Sequence, residues 1–253
     1  MDVTNRQYAL DLDAKDPLAK FRDEFVINDP EICYLDGNSL GRLPKRTIKV
    51  INDYLINDWG AKVVEGWSDW IEEPFATGDL LGRTTLGAAA GQVLVSDTTS
   101  VNFYQLAGAA LAARPDRKTI IIDAANFPTD RYILQGYAKE RGLNLVIINN
   151  EDPAISQHER ITPEILEKYM SEDVAFVTFE VIQYRAGARN DIKALNDVAQ
   201  KYIIRVLGFD LRTFCVNRGY GFFSEGCLLD IQIPNFLLQI IHRSLIFFFD
   251  GLD

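Results

Sequence analysis

Between Gln92 and Asp210, short runs of β-branched and aliphatic residues alternate with amphipathic stretches of helical length. That alternation is the mark of successive βα units around a mainly parallel sheet. It predicts strands at Gln92–Ser96, Lys118–Asp123, Asn144–Ile148, Val174–Phe179 and Ile203–Phe209. Helices are expected between them over Thr99–Ala113, Pro128–Arg141, Pro163–Tyr169 and Asp191–Tyr202, each opening near a Ser, Thr, Asp or Pro able to cap it. Upstream, the pattern predicts a helix over about Pro17–Val26 and another from Pro44 to about Trp59. The second carries Ile48, Ile51, Leu55 and Trp59 on one stripe. Between these helices lies the loop Tyr34-Leu35-Asp36-Gly37-Asn38-Ser39-Leu40-Gly41.

Apolar runs return at Phe236–Ile241 and Leu245–Phe249, but Gln239 and His242-Arg243-Ser244 keep them below the roughly 18 residues of a membrane span. No membrane helix is expected. The organisation read from the pattern is an N-terminal helical segment with its Gly-rich loop over 1–60, an α/β domain over 61–210, and an apolar tail over 211–253.

The chain has 253 residues, enough for a large core, and 36 acidic side chains against 26 basic ones give a formal charge of −10. A nucleic-acid or anionic-membrane surface needs a basic excess, so neither partner is expected. Three cysteines (Cys33, Cys215, Cys227) and two histidines (His158, His242) are too few and too scattered for a disulfide framework or a metal site. The expected compartment is the reducing cytoplasm. The first 16 residues mix charges into the apolar positions, so no signal peptide is read. The tail differs from the rest: 7 of its 43 residues are charged against 55 of the first 210, and it holds no lysine. That change marks a boundary near residue 211.

Four segments carry candidate chemistry. Tyr34–Gly41 has the residues of an ordinary turn. Ser96-Asp97-Thr98-Thr99-Ser100-Val101-Asn102 follows a predicted strand and opens a helix, where unpaired amides and the helix dipole favour an anion such as a phosphate. The same residues also serve as a plain helix cap. Asn126-Phe127-Pro128-Thr129-Asp130 again joins strand to helix; its aromatic can lie against a flat ring, or simply in the core. Leu207-Gly208-Phe209-Asp210-Leu211 ends a buried strand in an acid, either a cap or the partner of a cationic ring nitrogen.

In order, and with Tyr184-Arg185-Ala186-Gly187-Ala188-Arg189 and Asp191-Ile192 between the last two, these segments resemble kynureninase over about residues 17–211. Kynureninases are pyridoxal-phosphate (PLP) enzymes of the aminotransferase-like superfamily. The resemblance implies a fold type I large domain, α/β with a mainly parallel sheet and helices on both faces, incomplete at its C-terminal side. It implies that Thr99 and Ser100 bind the cofactor phosphate. Phe127, Pro128, Thr129 and Asp130 would face and hydrogen-bond the pyridine ring, Asp210 would pair with the ring nitrogen, and Asn38 and Ser39 would lie near the substrate. The implied reaction is hydrolysis of L-kynurenine or 3-hydroxykynurenine to alanine and an anthranilate, in the kynurenine pathway of tryptophan catabolism and NAD biosynthesis. The implied assembly is a homodimer.

After Leu211 the resemblance stops. The family continues Asp-Leu-x-His, where this chain has Thr213 as the third residue after Asp210. It then places a Tyr-Lys pair whose lysine forms the Schiff base, whereas no lysine follows Lys201 here. On that ground no catalytic residue is assigned and the chain is expected to be inactive. Its tail would be the product of a frameshift or mis-splicing, or else a real segment on a non-catalytic PLP-fold pseudoenzyme or dimerisation partner. A further departure is Glu180, seven positions before Gly187, where family members can carry a small hydroxyl residue. A carboxylate there would repel a phosphate or acidic substrate unless it points away.

Overall fold

The computed structural model describes residues 3–37, 39–149 and 160–202, together with the backbone of 206–209. The chain divides into two units, Met1–Ile71 and Glu72–Asp253. In the first, α1 (Arg6–Asp13) is capped by Asn5, whose side chain accepts from the Gln7 N–H at 2.8 Å. The helix expected over Pro17–Val26 is instead a 3₁₀ segment, Ala19–Glu24. The Asp16 carboxylate takes the Leu18 N–H at 2.8 Å, capping the turn that leads into this short segment.

Next, α2 (Lys45–Asp53) continues as a π-helical turn, Tyr54–Trp59, into α3 (Gly60–Lys62), and α4 (Trp67–Trp70) ends the unit. The stripe of Ile48, Ile51, Leu55 and Trp59 is 44–60% exposed. The loop at Tyr34 is tied to itself. The Tyr34 hydroxyl sits 3.0 Å from the Asp36 carbonyl and 2.5 Å from that of Leu40, and Ser39 Oγ donates to the Asp36 carboxylate at 2.8 Å. The Val26 N–H, donating to the Leu43 carbonyl, closes its base.

The second unit opens with α5 (Glu73–Leu81) and a π-helical turn, Gly82–Leu86. It then alternates α6 (Thr99–Ala112), β1 (Thr119–Asp123), α7 (Pro128–Arg141), β2 (Asn144–Ile148), α8 (Pro163–Glu167), β3 (Val174–Glu180), α9 (Ile192–Lys201) and β4 (Val206–Phe209). The four strands form one parallel sheet in the order β2-β1-β3-β4.

Both faces of β1 are buried, as its run of isoleucines requires. Ile120 and Ile122 join Phe103, Leu106, Leu134 and Tyr137 under α6 and α7, while Ile121 joins Leu166, Leu195 and Val198 under α8 and α9. The register of β3 against β1 shifts between Thr119 and Ile120, so that Ile120 pairs with Phe176. This irregularity puts Ala175 and Phe176 on the same face, beneath α6 and α7. α7 begins at Pro128 and ends at Gly142, whose φ of 65° closes the helix in the left-handed region.

One expected strand is absent from the described sheet. Residues Gln92–Ser96 run alongside α5 instead: the Val95 N–H donates to the Pro74 carbonyl at 3.2 Å, and the Val93 backbone lies against Gly78. Its β-branched composition suits a strand, but only Val93 takes part in a β-bridge, and the Val95 N–H is given to the preceding helix.

Candidate functional site

β1 and β3 are neighbours, and both end in acids. Asp123 closes β1, and Glu180 closes β3 two residues beyond Thr178, the partner of Ile122. Both carboxyl groups are buried, as is Asp130 in the first turn of α7. Crevices at the carboxyl ends of parallel strands are where α/β sheets bind ligands.

Amides hold the first of these acids. Asp123 accepts from Asn126 Nδ2 at 3.2 Å and from Gln183 Nε2 at 3.3 Å, so the turn after β1 and the turn after β3 are tied through one carboxylate. Glu180 Oε1 accepts the Phe127 N–H at 3.0 Å, a second tie between the same turns. A third is the edge-on contact of the Phe127 and Tyr184 rings, with centroids 5.1 Å apart. The turn that supplies Gln183 and Tyr184 is itself fixed. The Gln183 N–H donates to the Ala188 carbonyl, Gly187 bends the chain at a φ of 66°, and Asn190 Nδ2 donates to the Glu180 carbonyl at 2.8 Å.

Burial raises all three acids. Asp123 is pushed up to about 6 by desolvation, against the opposing hydrogen bonds from Asn126 and Gln183. Asp130 reaches about 6, again mainly by desolvation, with the Thr129 hydrogen bond opposing and the charge of Asp123 adding. Glu180 is pushed up to about 7 by burial and by its charged neighbours Asp123 and Asp130, although the backbone amides of Phe127 and Tyr184 oppose the shift. Three buried acceptor oxygens, Glu180 Oε2, Asn126 Oδ1 and Gln183 Oε1, have no hydrogen-bond partner among the described residues.

The start of α6 is a different kind of place. Asp97 accepts the Thr98 N–H at 2.7 Å, and the Thr98 hydroxyl accepts the Val101 N–H at 3.3 Å. Asn102 Nδ2 donates to the Ser96 carbonyl at 3.0 Å and pins the turn from the side. The amides of Thr99 and Ser100 thus head a 14-residue helix as members of its unpaired N-terminal set. Thr99 is exposed and Ser100 half-buried.

Of the site residues expected from sequence, Thr99 and Ser100 head α6, while Phe127, Pro128, Thr129 and Asp130 form the head of α7 on the same face of the sheet. Ser39 is exposed in the loop of the first unit. Asn38, Asp210 and the whole 211–253 tail lie outside the described residues. The sequence reading placed Asn126 in a candidate segment without giving it a role, and missed Asp123 and Gln183. The signal was present for Asp123, an acid closing an unbroken isoleucine run. The carboxyl group of Glu180 turns toward the Phe127 backbone and is buried there.

No family model matches the chain. Curated relatives do: it is 32% identical to a kynureninase of Pseudomonas fluorescens over 79% of this chain and 46% of that protein. It is 35% identical to one of Deinococcus radiodurans over 85% of this chain and 54% of that protein. With kynureninase 1 of Aspergillus terreus it shares 32% identity over 81% of this chain and 49% of that protein. The chain therefore spans about half the length of the curated relatives it matches.

Among solved structures, it is similar to a C-DES variant with glycine covalently linked to the PLP cofactor. The TM-score is 0.61 at 13% identity, over 78% of this chain and 50% of that one. A NifS-like protein gives a TM-score of 0.57 at 13% identity, over 70% and 48%. The fold is thus the α/β arrangement of fold type I PLP enzymes, present in part. Among the described residues no helix is long and apolar enough to cross a membrane.

Proposed function

The chain belongs to the kynureninase family across the four fifths of its length that match, and from that premise we propose that its α/β unit binds pyridoxal phosphate without performing the family's hydrolysis. The observation that carries the reading is the turn at Phe127. It leaves the carboxyl end of β1 with its backbone held by Glu180 and its ring against Tyr184, so an aromatic face is fixed beside a half-buried Thr129.

In this reading the amides and hydroxyls of Thr99 and Ser100 hold the phosphate, for which a helix start is suited. Phe127 and Pro128 cover one side of the ring, and Thr129 and Asp130 supply polar contacts at its edge. Asp210 keeps the ring nitrogen protonated. From the family resemblance, Asn38 and Ser39 would contact the substrate, L-kynurenine or its 3-hydroxy form. The bound group would supply an electron sink for the substrate's α-carbon. What this sequence lacks is the lysine with which the family holds its cofactor covalently and moves protons, since none follows Lys201.

We read residues after Leu211 as unrelated to the family, through a frameshift or mis-splicing, and the coding sequence after Leu211 translated in all three frames tests this. A Tyr-Lys pair in another frame supports it. A cytoplasmic homodimer belongs to the same reading; the exposed Ile48–Trp59 stripe supports a protein contact.

Equilibrium dialysis of the full chain against PLP, followed by borohydride reduction and an anthranilate fluorescence assay with kynurenine, tests the function. Saturable binding is expected, with no stoichiometric borohydride-fixed cofactor and no anthranilate. Failure to bind PLP overturns the cofactor assignment, and anthranilate release overturns the claim of inactivity.

A further inference from the structure

The cluster at the ends of β1 and β3 leaves buried acceptors unpaired. Its donors include Asn126 Nδ2 and Gln183 Nε2, both given to Asp123, the Phe127 N–H, given to Glu180, and the Tyr184 amide and Thr129, which also act on Glu180 and Asp130. Against them stand the oxygens of three carboxyl groups and two amides. Glu180 Oε2, Asn126 Oδ1 and Gln183 Oε1 are buried without a partner among the described residues. A buried acceptor left unpaired costs about 1–3 kcal/mol, so the cluster is short of protons rather than of oxygens. Each proton taken up turns one acceptor into a donor and removes one negative charge from a desolvated site.

Glu180 is the member best placed for this. One of its oxygens is committed to Phe127 and the other is free to carry the proton. The titratable groups that face it are Asp123, from the end of β1, and Asp130, from the first turn of α7, and both oppose its ionisation.

We propose that Glu180 is a positioning residue which, as a neutral carboxylic acid, fastens the Phe127 turn to the end of β3 and so sets the ring against which a flat cofactor would lie. The cofactor consequence rests on the function proposed above; the fastening does not. The side chain at this position is long enough to reach across to the neighbouring turn. The turn's order thereby comes to depend on proton uptake. Above neutrality Glu180 ionises beside Asp123 and Asp130; its bond from the Phe127 N–H gains strength, but desolvation and the repulsion among the three charges outweigh that gain, and the Phe127 turn loosens. The upward shift of Glu180 to about 7 puts this change near neutral pH.

The experiment reads the backbone amide of Phe127 by hydrogen exchange in the cofactor-free full chain, corrected for intrinsic exchange and referred to the Ile121 amide inside β1. In the wild type, protection at Phe127 is expected to fall about tenfold between about pH 6 and pH 8.5 while Ile121 holds. Glu180→Gln keeps an acceptor oxygen and cannot ionise, so its protection stays high and flat. Glu180→Ala loses protection at every pH; if that variant does not fold, the Gln comparison decides alone. A wild-type profile as flat as that of Glu180→Gln, or equal protection in wild type and Glu180→Ala, overturns the proposal. A PLP titration of wild type and Glu180→Gln over the same pH range separates the two readings. Affinity falling with pH in the wild type alone supports both, whereas intact exchange behaviour with no PLP binding overturns only the cofactor assignment.

Discussion

The Tyr137 hydroxyl donates to the Tyr104 carbonyl at 2.9 Å while the two rings stack, with centroids 4.9 Å apart and planes 14° from parallel. This contact joins α7 to α6, the two helices whose first turns carry the expected cofactor residues. It depends on Gly108, because a Cβ there would lie 2.5 Å from the Tyr137 hydroxyl oxygen. The oxygen cannot swing away without losing both its hydrogen bond and its stack. Gly108→Ala is therefore expected to destabilise the protein by about 1–3 kcal/mol through overpacking. Tyr137→Phe costs about 1 kcal/mol for the lost hydrogen bond. Combined, the two changes should cost less than their sum, since the second removes the atom that the first strikes. Urea midpoints of the four proteins check this, and strict additivity would sink the steric account.

The three raised acids give stability a definite slope with pH. Asp123 and Asp130 reach about 6 in the folded chain, and Glu180 about 7, against ordinary values near 4. Between those limits the folded state binds more protons than the unfolded one, so stability falls as pH rises. Their contribution is complete below about pH 4 and is lost as pH climbs through the folded values. For Asp130 alone the shift corresponds to at most about 3 kcal/mol, and mutual coupling reduces this to about 1–2 kcal/mol. Asp130→Asn should flatten the decline between about pH 4.5 and pH 7.5 by that amount in denaturant titrations. A wild-type stability that rises over this interval contradicts the burial of the cluster.

How much of this was legible follows from which partners each residue needs. The run Ile120-Ile121-Ile122 specifies a strand buried on both faces whatever surrounds it, and Pro128 with Gly142 brackets α7 by local backbone chemistry alone. The chemistry of Thr99–Asn102 could be read for the same reason, since a helix start offers its amides wherever it sits. Gln92–Ser96 was legible only in part because a strand exists only with a partner: Val93 lies in a β-bridge, while the Val95 N–H is given to α5. The acid cluster was equally hidden. Nothing in the composition of Val174–Glu180 reveals that Glu180 meets Phe127, a residue 53 positions away whose nearness is fixed by the pairing of β1 with β3.

The docking of Gln92–Ser96 has its own test. A Cβ on Gly78 would run into the Val93 carbonyl, a backbone group with no freedom to rotate aside. Gly78→Ala is expected to lift the segment from α5, raising hydrogen exchange at the Val95 amide, and to cost about 1–3 kcal/mol despite the better helix propensity of alanine. Gly136→Ala is the control, because that glycine has open space around its Cβ position. A stabilised Gly78→Ala protein would show that the segment lies elsewhere.

Thr98 and Asn102 hold the start of α6 in different ways, so their loss should be read by different measurements. Thr98 caps the helix through the Val101 N–H, and Thr98→Ala is expected to cost about 1 kcal/mol of stability. Asn102, buried and donating to the Ser96 carbonyl, fixes the angle at which the turn enters the helix. Asn102→Ala leaves the cap in place but frees the turn. If the Thr99 and Ser100 amides hold a phosphate, its affinity depends on those donors being pre-aligned. Dialysis against PLP should then show about tenfold weaker binding for Asn102→Ala, at a pH where Glu180 is neutral, with a smaller loss for Thr98→Ala. Equal binding by wild type and Asn102→Ala would place the phosphate somewhere other than the start of α6.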